Sequence, residues 1–308
     1  MSSAPARVSV CLPNLNARPF LAERFASLQA QTMTAWEAVV YDSFSDDGSW
    51  ELICQAARDP RLAIFQGPRE GVYQAWNFCL RRARAEFVYI APSDDTMAPR
   101  CLERLLEAFA RHPEADVVSS LPWMIDEYGR EIEAGVMGDI EARLAAVSTE
   151  PRLMDMRELA LAALRRDRTP ALSVTQLLVR RNLFERLGFF PEEFGSMGDW
   201  AWQMLAVART RWAFVPDKLG AWRRYQAQAT AGAMADQVRM RRTEAAMGHW
   251  LADRNAFNHD LGLRFELGRF IAARNGSAPR AGIAVGAGCL VGRLAALQTA
   301  ARRFLSRP

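Results

Sequence analysis

The residues with the clearest chemical capacity in this 308-residue chain are Asp94 and Asp95, adjacent carboxylates that follow Tyr89-Ile90-Ala91-Pro92-Ser93 without a break. The apolar run predicts a buried strand, and acids at its carboxyl end fall where open α/β sheets hold ligands. Two such groups attract a hard divalent cation and leave positions on it for phosphate oxygens. In isolation, Ser-Asp-Asp-Thr has a plainer reading as a solvated turn with capping acids. Asp199, in Gly198-Asp199-Trp200-Ala201-Trp202, is of the right type for a general base at a helix start. Its plainer role is a helix N-cap, and the two tryptophans read as core in preference to sugar-stacking surfaces.

Other candidates cluster at strand ends. The first strand closes with Pro13-Asn14-Leu15-Asn16 and the second with Asp42-Ser43-Phe44-Ser45-Asp46-Asp47-Gly48-Ser49. A carboxylate such as Asp42 at that edge can accept from a base N–H or from ribose hydroxyls. Ser45 and Asp47 fit helix capping, and Gly48 a turn. In Arg69-Glu70-Gly71-Val72-Tyr73-Gln74-Ala75-Trp76-Asn77, Gly71 would let backbone approach a ligand, with Asn77 one to two turns further into a helix; a glycine there is also an ordinary turn residue. Arg223, in Trp222-Arg223-Arg224-Tyr225, has the planar fork that meets a phosphate bidentately, although arginine is common throughout this chain.

The elements needed to present these groups alternate. Strands are expected at Arg7–Leu12, Trp36–Tyr41, Leu62–Phe65 and Phe87–Ala91, with helices at Pro19–Ala30, 47–58 and 72–84 between them. That alternation predicts a parallel, helix-covered sheet. After Pro99, Leu102, Leu105, Leu106 and Phe109 form a core-facing helical stripe. Val117–Ser120 reads as a strand, Asp126–Arg130 as a hairpin turn, Leu172–Val179 as a strand, and Asn182–Leu187 and Gly198–Arg209 as helices. From about 138 to 169 the pattern is weak, and from about Ala235 onward it is helical.

Taken together, these segments resemble the family 2 glycosyltransferases. The matching pieces are Pro13 to Asn16, Asp42 to Ser49, Gly71 to Asn77, Ser93-Asp94-Asp95 and Asp199, in family order over roughly residues 7 to 230. The resemblance implies an α/β, Rossmann-like, mostly parallel sheet of the GT-A type with a C-terminal helical extension. It implies a catalytic domain over 1–230, with a nucleotide-binding half to 120 and an acceptor half from 121, followed by helices over 231–308. By the same resemblance Pro13, Asn16, Asp42, Gly71, Asn77, Asp94 and Arg223 bind the donor. Asp95 and Asp94 hold Mn²⁺ or Mg²⁺, and Asp199 is the catalytic base of an inverting transfer. The donor would be a nucleotide-diphosphate sugar, with uridine as nucleoside, and the acceptor a hydroxyl of a saccharide or lipid-linked glycan in bacterial surface polysaccharide assembly. The chain departs from the family pattern at Pro92, where an acid is common, at Phe44 and Gln74, and at Tyr225, where a histidine often follows the arginine. Two rivals are a non-catalytic nucleotide- or carbohydrate-binding protein and a sugar-nucleotide nucleotidyltransferase. The second is disfavoured because Val8–Asn16 lacks the glycine and lysine of a triphosphate loop.

Bulk composition bounds the setting. With 50% apolar and 24% charged residues the chain has ample material for a packed core. Five scattered cysteines (Cys11, Cys54, Cys79, Cys101 and Cys289) with no Cys-x-x-Cys pair suggest reduced, mostly buried thiols and no zinc site. The N-terminus has no apolar signal segment, so a cytoplasmic location is expected. Seven arginines and no acid follow Glu266, so with a net charge of +4 residues 1–266 sum to −3. That basic tail fits peripheral docking on the inner face of an anionic membrane, or equally a surface helix with solvated arginines. The excess is confined to the tail and accompanies no RNA-binding motif, which argues against nucleic acid despite a pI near 9.0.

Overall fold

The computed structural model describes residues 5–132, 145–146, 148–166, 169–226, 228 and 237–275. The first half alternates as the sequence pattern predicts: Val8–Asn14 (β1), Arg18–Gln29 (α1), Trp36–Asp42 (β2), Ser49–Ala56 (α2), Leu62–Gln66 (β3), Val72–Arg82 (α3) and Phe87–Ile90 (β4). There follow Thr96–Met97 (β5), Cys101–Arg111 (α4), Val117–Ile125 (β6), Arg152–Leu153 (β7) and Met156–Arg166 (α5). The second half continues with Leu177–Arg180 (β8), Asn182–Leu187 (α6), Gly198–Arg209 (α7), Trp212–Arg223 (β9), Gln237–Asp253 (α8) and Leu261–Arg274 (α9). Pro99 and Arg100 precede α4, and the Leu102/Leu105/Leu106/Phe109 stripe is buried.

Among the described residues the strands form one sheet in the order β3-β2-β1-β4-β8-β6-β9-β5, with β7 added beside β9. From β3 to β4 every pairing is parallel. Beyond β4 the sheet is mixed, because β8 runs antiparallel to both β4 and β6 while β9 runs parallel to β6. The parallel half is the part that alternates with helices, since a parallel return needs a crossover. Alternate residues of each strand feed two cores. Val8, Val10, Leu12, Tyr89 and Leu178 pack with α1 and α4 on one face. Cys11, Val39, Val88, Ile90 and Val179 pack with α3, α5 and α7 on the other. That second core also takes Met247, Leu251, Leu267 and Phe270, so α8 and α9 share it with α3, α5 and α7. Cys11, Cys79 and Cys101 are buried and Cys54 is exposed, all as free thiols.

The register aligns the candidate residues. Asn14 at the end of β1 is the Cα partner of Asp42 at the end of β2. Ala91, just past β4, donates its N–H to Cys11 of the neighbouring strand. Asn14, Asp42 and the Asp94-Asp95 turn therefore lie at one carboxyl edge, which is also where α3 starts after β3. No helix of the described residues is long and apolar enough to cross a membrane. The basic tail beyond Asn275 lies outside the described residues.

Candidate functional site

At the ends of β1 and β2 the structure builds a closed polar cluster around Asp42, which is fully buried. Oδ1 of Asp42 accepts from Asn14 Nδ2 at 2.7 Å and Ser45 Oγ at 2.5 Å. Oδ2 accepts from the Ser45 amide at 3.0 Å and Gln66 Nε2 at 3.0 Å. A carboxylate has about four lone-pair positions, so the chain's own donors fill it. The expectation that Asp42 accepts directly from a nucleoside therefore meets a different arrangement, in which Asp42 shapes the loop 43–49. Sequence reasoning missed Gln66 because its role arises only when β3 pairs with β2. Ser45, read as a cap, instead joins Asp42, Asn14 and the Asn16 amide. Asp47 does cap, accepting from the amides of Ser49 and Arg18 at 2.9 Å each. Asn16, at φ 51°, bonds Asp46 through both atoms of its amide, and Pro13 is a buried β1 residue.

Above this cluster the rim is apolar and exposed. Leu15, Phe44 and Val72 are each about half exposed. Phe44 holds a positive φ of 45°, uncommon for a bulky residue. The Arg69 guanidinium fixes it by donating to the Phe44 carbonyl from Nη2 at 2.7 Å and Nε at 3.1 Å.

The second cluster forms because β5 pairs antiparallel with β9, matching Thr96 with Ala221 and Met97 with Gly220. This sets the Asp94-Asp95 turn beside Arg223. The Arg223 amide donates to Asp95 Oδ1 at 2.9 Å, and Tyr225 Oη donates to Asp94 Oδ2 at 3.1 Å. Arg223 is 1% exposed, and its guanidinium is committed to the Asp94 carbonyl at 2.7 Å, the Asp126 carbonyl at 2.9 Å and Glu23 Oε2 at 2.5 Å. The expected bidentate phosphate contact of Arg223 is thus replaced, in this structure, by a staple between α1, the Asp94 turn and the Asp126 turn. Sequence reasoning missed Glu23, whose partner is 200 residues away.

Burial pushes both carboxyls above their ordinary values, and the neighbouring Asp94 charge adds to the effect on Asp95. Arg24 is fully buried, its guanidinium 5.9 Å from the centroid of the Tyr89 ring, and none of its three side-chain nitrogens has a hydrogen-bond partner among the described residues. Its positive charge acts favourably on both carboxylates. No group of three or more His, Cys, Asp or Glu side chains with metal-ligand geometry occurs among the described residues. An oxygen-only pair of mutually repelling, poorly hydrated carboxylates nevertheless fits a hard divalent ion that keeps other positions for a ligand's oxygens.

The third cluster centres on Asp199 at the N-terminus of α7. Tyr73 Oη donates to Asp199 Oδ1 at 2.7 Å. Burial raises the Asp199 carboxyl above its ordinary value, against the lowering effect of Tyr73 and of the amides of Asp199 and Trp200. Trp200 and Trp202 are buried. Gly71 starts α3 at φ 121°, a conformation that favours glycine. Asn77 lies with this third cluster and not with the strand-end residues, since its amide is taken up by the N–H and carbonyl of Phe190 and by Glu192.

The fold is a parallel-to-mixed sheet flanked by helices, with paired acids at its carboxyl edge and a separate carboxyl at a helix start, an architecture that fits a glycosyltransferase. The family model described as glycosyl transferase family 2 matches residues 9–188, and the chain belongs to that family. Among curated relatives it is 29% identical over 132 residues to EpsE of Bacillus subtilis, covering 42% of this chain and 47% of that protein. It is 31% identical over 123 residues to the glycosyltransferase GlyG of Streptococcus pneumoniae, covering 39% and 40%. The chain thus matches less than half the length of these relatives. The solved structure of S. aureus TarS 1-349 in complex with UDP shares the fold at a TM-score of 0.63 with 20% identity, covering 87% of this chain and 70% of that one.

Proposed function

We propose that this chain is an inverting glycosyltransferase that moves a sugar from a nucleoside-diphosphate sugar, with UDP as the nucleotide, to a hydroxyl of a saccharide or lipid-linked acceptor in surface polysaccharide assembly. The observation that carries the reading is that one sheet edge bears a pair of carboxylates, Asp95 buried and Asp94 half-buried, while a third carboxyl, Asp199, is held separately at a helix start. The relatives' names support sugar transfer, and the UDP complex of TarS supports the choice of donor.

The nucleoside would lie over the strand ends of β1 and β2, against the Leu15–Phe44 rim, with the Asp42 network keeping loop 43–49 in shape. Asp94 and Asp95 would hold Mn²⁺ or Mg²⁺, which when bound offsets the negative charge gathering on the departing diphosphate. Arg223 keeps the two acids in register through its amide and its guanidinium. Asp199 takes the proton from the acceptor hydroxyl as that oxygen attacks the anomeric carbon opposite the leaving group, giving inversion. A carboxyl raised by burial is better suited to that task near neutral pH than a fully hydrated one. The basic tail after Glu266 would bring the enzyme to an anionic membrane carrying such acceptors.

The test is turnover of Asp199→Asn, read as UDP release from a panel of UDP-sugars with saccharide acceptors. General-base loss predicts a fall of about 10²–10⁴ in kcat with donor binding retained; undiminished turnover contradicts the assignment.

A further inference from the structure

We infer that one face of α3, formed by Tyr73 and Asn77, positions the general base, Tyr73 by orienting the Asp199 carboxylate and Asn77 by fixing the loop that leads to it. This rests on the reading of Asp199 as base, and it moves Asn77, together with Tyr73, from the donor side of the reaction to the acceptor side.

The geometry is periodic. Tyr73 and Asn77 are four residues apart on α3, so their side chains share a face. From that face Tyr73 reaches Asp199 at 2.7 Å, and Asn77 grips Phe190 N–H, Phe190 carbonyl and Glu192 at 3.1, 2.9 and 3.0 Å. The two contacts bracket the segment 190–199 at its start and its end. The Tyr73 ring is itself locked: it is 4% exposed, packs edge-on against Trp76 at 5.2 Å and lies 5.9 Å from Phe190. Gly198 permits the close approach, because a Cβ there would sit 2.8 Å from Tyr73 Cε2 and 2.3 Å from the Pro191 carbonyl.

A rigid phenol on Oδ1 gives the other carboxylate oxygen a defined direction toward an acceptor. Glu192, a charged side chain of the adjoining loop, is bonded to Asn77. The influences on Asp199 are its burial, Tyr73, and the amides of Asp199 and Trp200. The Tyr73 hydroxyl lowers the carboxyl's proton affinity, and removing it raises that affinity.

The variant is Tyr73→Phe, which keeps the ring and its packing and deletes one oxygen. Asp199 is followed without any ligand by ¹³Cγ-aspartate NMR, its resonance identified by its loss in Asp199→Asn. Removal of one hydrogen bond to an ionised group is expected to move its titration midpoint up by about one to two pH units. The acid limb of kcat/KM for the active UDP-sugar is expected to move up by the same amount. Calorimetric binding of UDP with Mn²⁺ is expected to stay as in the wild type, because neither residue touches the strand-end clusters. An unshifted midpoint overturns the inference. So does a lost UDP affinity, which would return Tyr73 to the donor side. A shifted midpoint with full turnover in Asp199→Asn refutes the base reading, and with it the positioning role, while leaving the contact itself established.

Discussion

Replacing Asp42 with Asn and with Ala separates an organising carboxylate from one that touches the nucleoside. Four donors converge on Asp42, two on each oxygen. In Asp42→Asn the new amide nitrogen fits best at the Oδ1 position. There Ser45 Oγ can accept, and Asn14 can turn its amide to present Oδ1, which has no hydrogen-bond partner among the described residues, at the cost of moving its own NH2 into that unpartnered position. The Ser45 amide and Gln66 then keep a carbonyl acceptor, so the contacts survive without the charge. Hydrogen bonds to ionised groups contribute about 1.5–3 kcal/mol and neutral ones about 0.5–1.5. Allowing for relaxation, Asp42→Asn should cost about 1–3 kcal/mol, a fall in Tm of about 2–5 °C. Asp42→Ala takes the acceptor from the Ser45 amide and leaves buried Asn14 Nδ2 with only Ser45 Oγ, at about 1–3 kcal/mol each, while exposed Gln66 can turn to water, and it should lower Tm further than Asp42→Asn. The assay is thermal unfolding of both variants alongside calorimetric titration with UDP. The account expects UDP affinity to fall in step with Tm, because loop 43–49 loosens. An Asp42→Asn protein that melts like the wild type yet loses more than about tenfold in UDP affinity would refute this reasoning and make Asp42 a direct nucleoside contact.

Three further outcomes follow from named contacts. Gly220→Ala places a Cβ 2.0 Å from the Thr175 carbonyl where β9 meets β5, so it should cost about 1–3 kcal/mol or more of overpacking and weaken UDP binding with Mn²⁺ by separating the Asp94 turn from Arg223; thermal melts and calorimetry read both. Phe44→Ala should leave Tm unchanged and weaken UDP by the value of one base–aromatic contact, about 1–3 kcal/mol, with unchanged affinity removing the Leu15–Phe44 rim from the nucleoside site. Asp199 has a raised folded pKa, so its ionisation opposes folding above that value, and the cost disappears as pH falls to the unfolded value of about 3.9. Asp199→Asn should therefore melt higher than the wild type at pH 7–8 and lose that advantage toward pH 4; a variant that is destabilised at every pH would show that burial does not strain the carboxyl.

The parts of the fold that were legible in the sequence are those in which one strand buries both faces and one helix buries a stripe. β1, β2 and β4 are continuous apolar runs, and α4 carries its own periodicity, so local pattern sufficed for them. β5 and β7 have two residues each, too few for any period, and β5 is the strand that assembles the acid pair with Arg223. β9 runs through Pro216, and its pairing with β6 is irregular near Leu121, so it reads as two weak segments. Asp94, Asp95 and Asp199 were identifiable as acids at element ends. Their partners were not, since Tyr73–Asp199 and Glu23–Arg223 are 126 and 200 residues apart and nothing local selects them. The same limit explains why Asn77 and Arg223 seemed free to meet a ligand: a polar side chain reads as available until the fold supplies its neighbours.

The measurement that bears most directly on the donor site is calorimetric titration of the purified chain with UDP, with and without Mn²⁺, repeated on Asp95→Ala. The account predicts tight binding that depends on the metal and disappears in the variant. UDP binding that is indifferent to Mn²⁺ and survives in Asp95→Ala, or no UDP binding in any of these titrations, would contradict it.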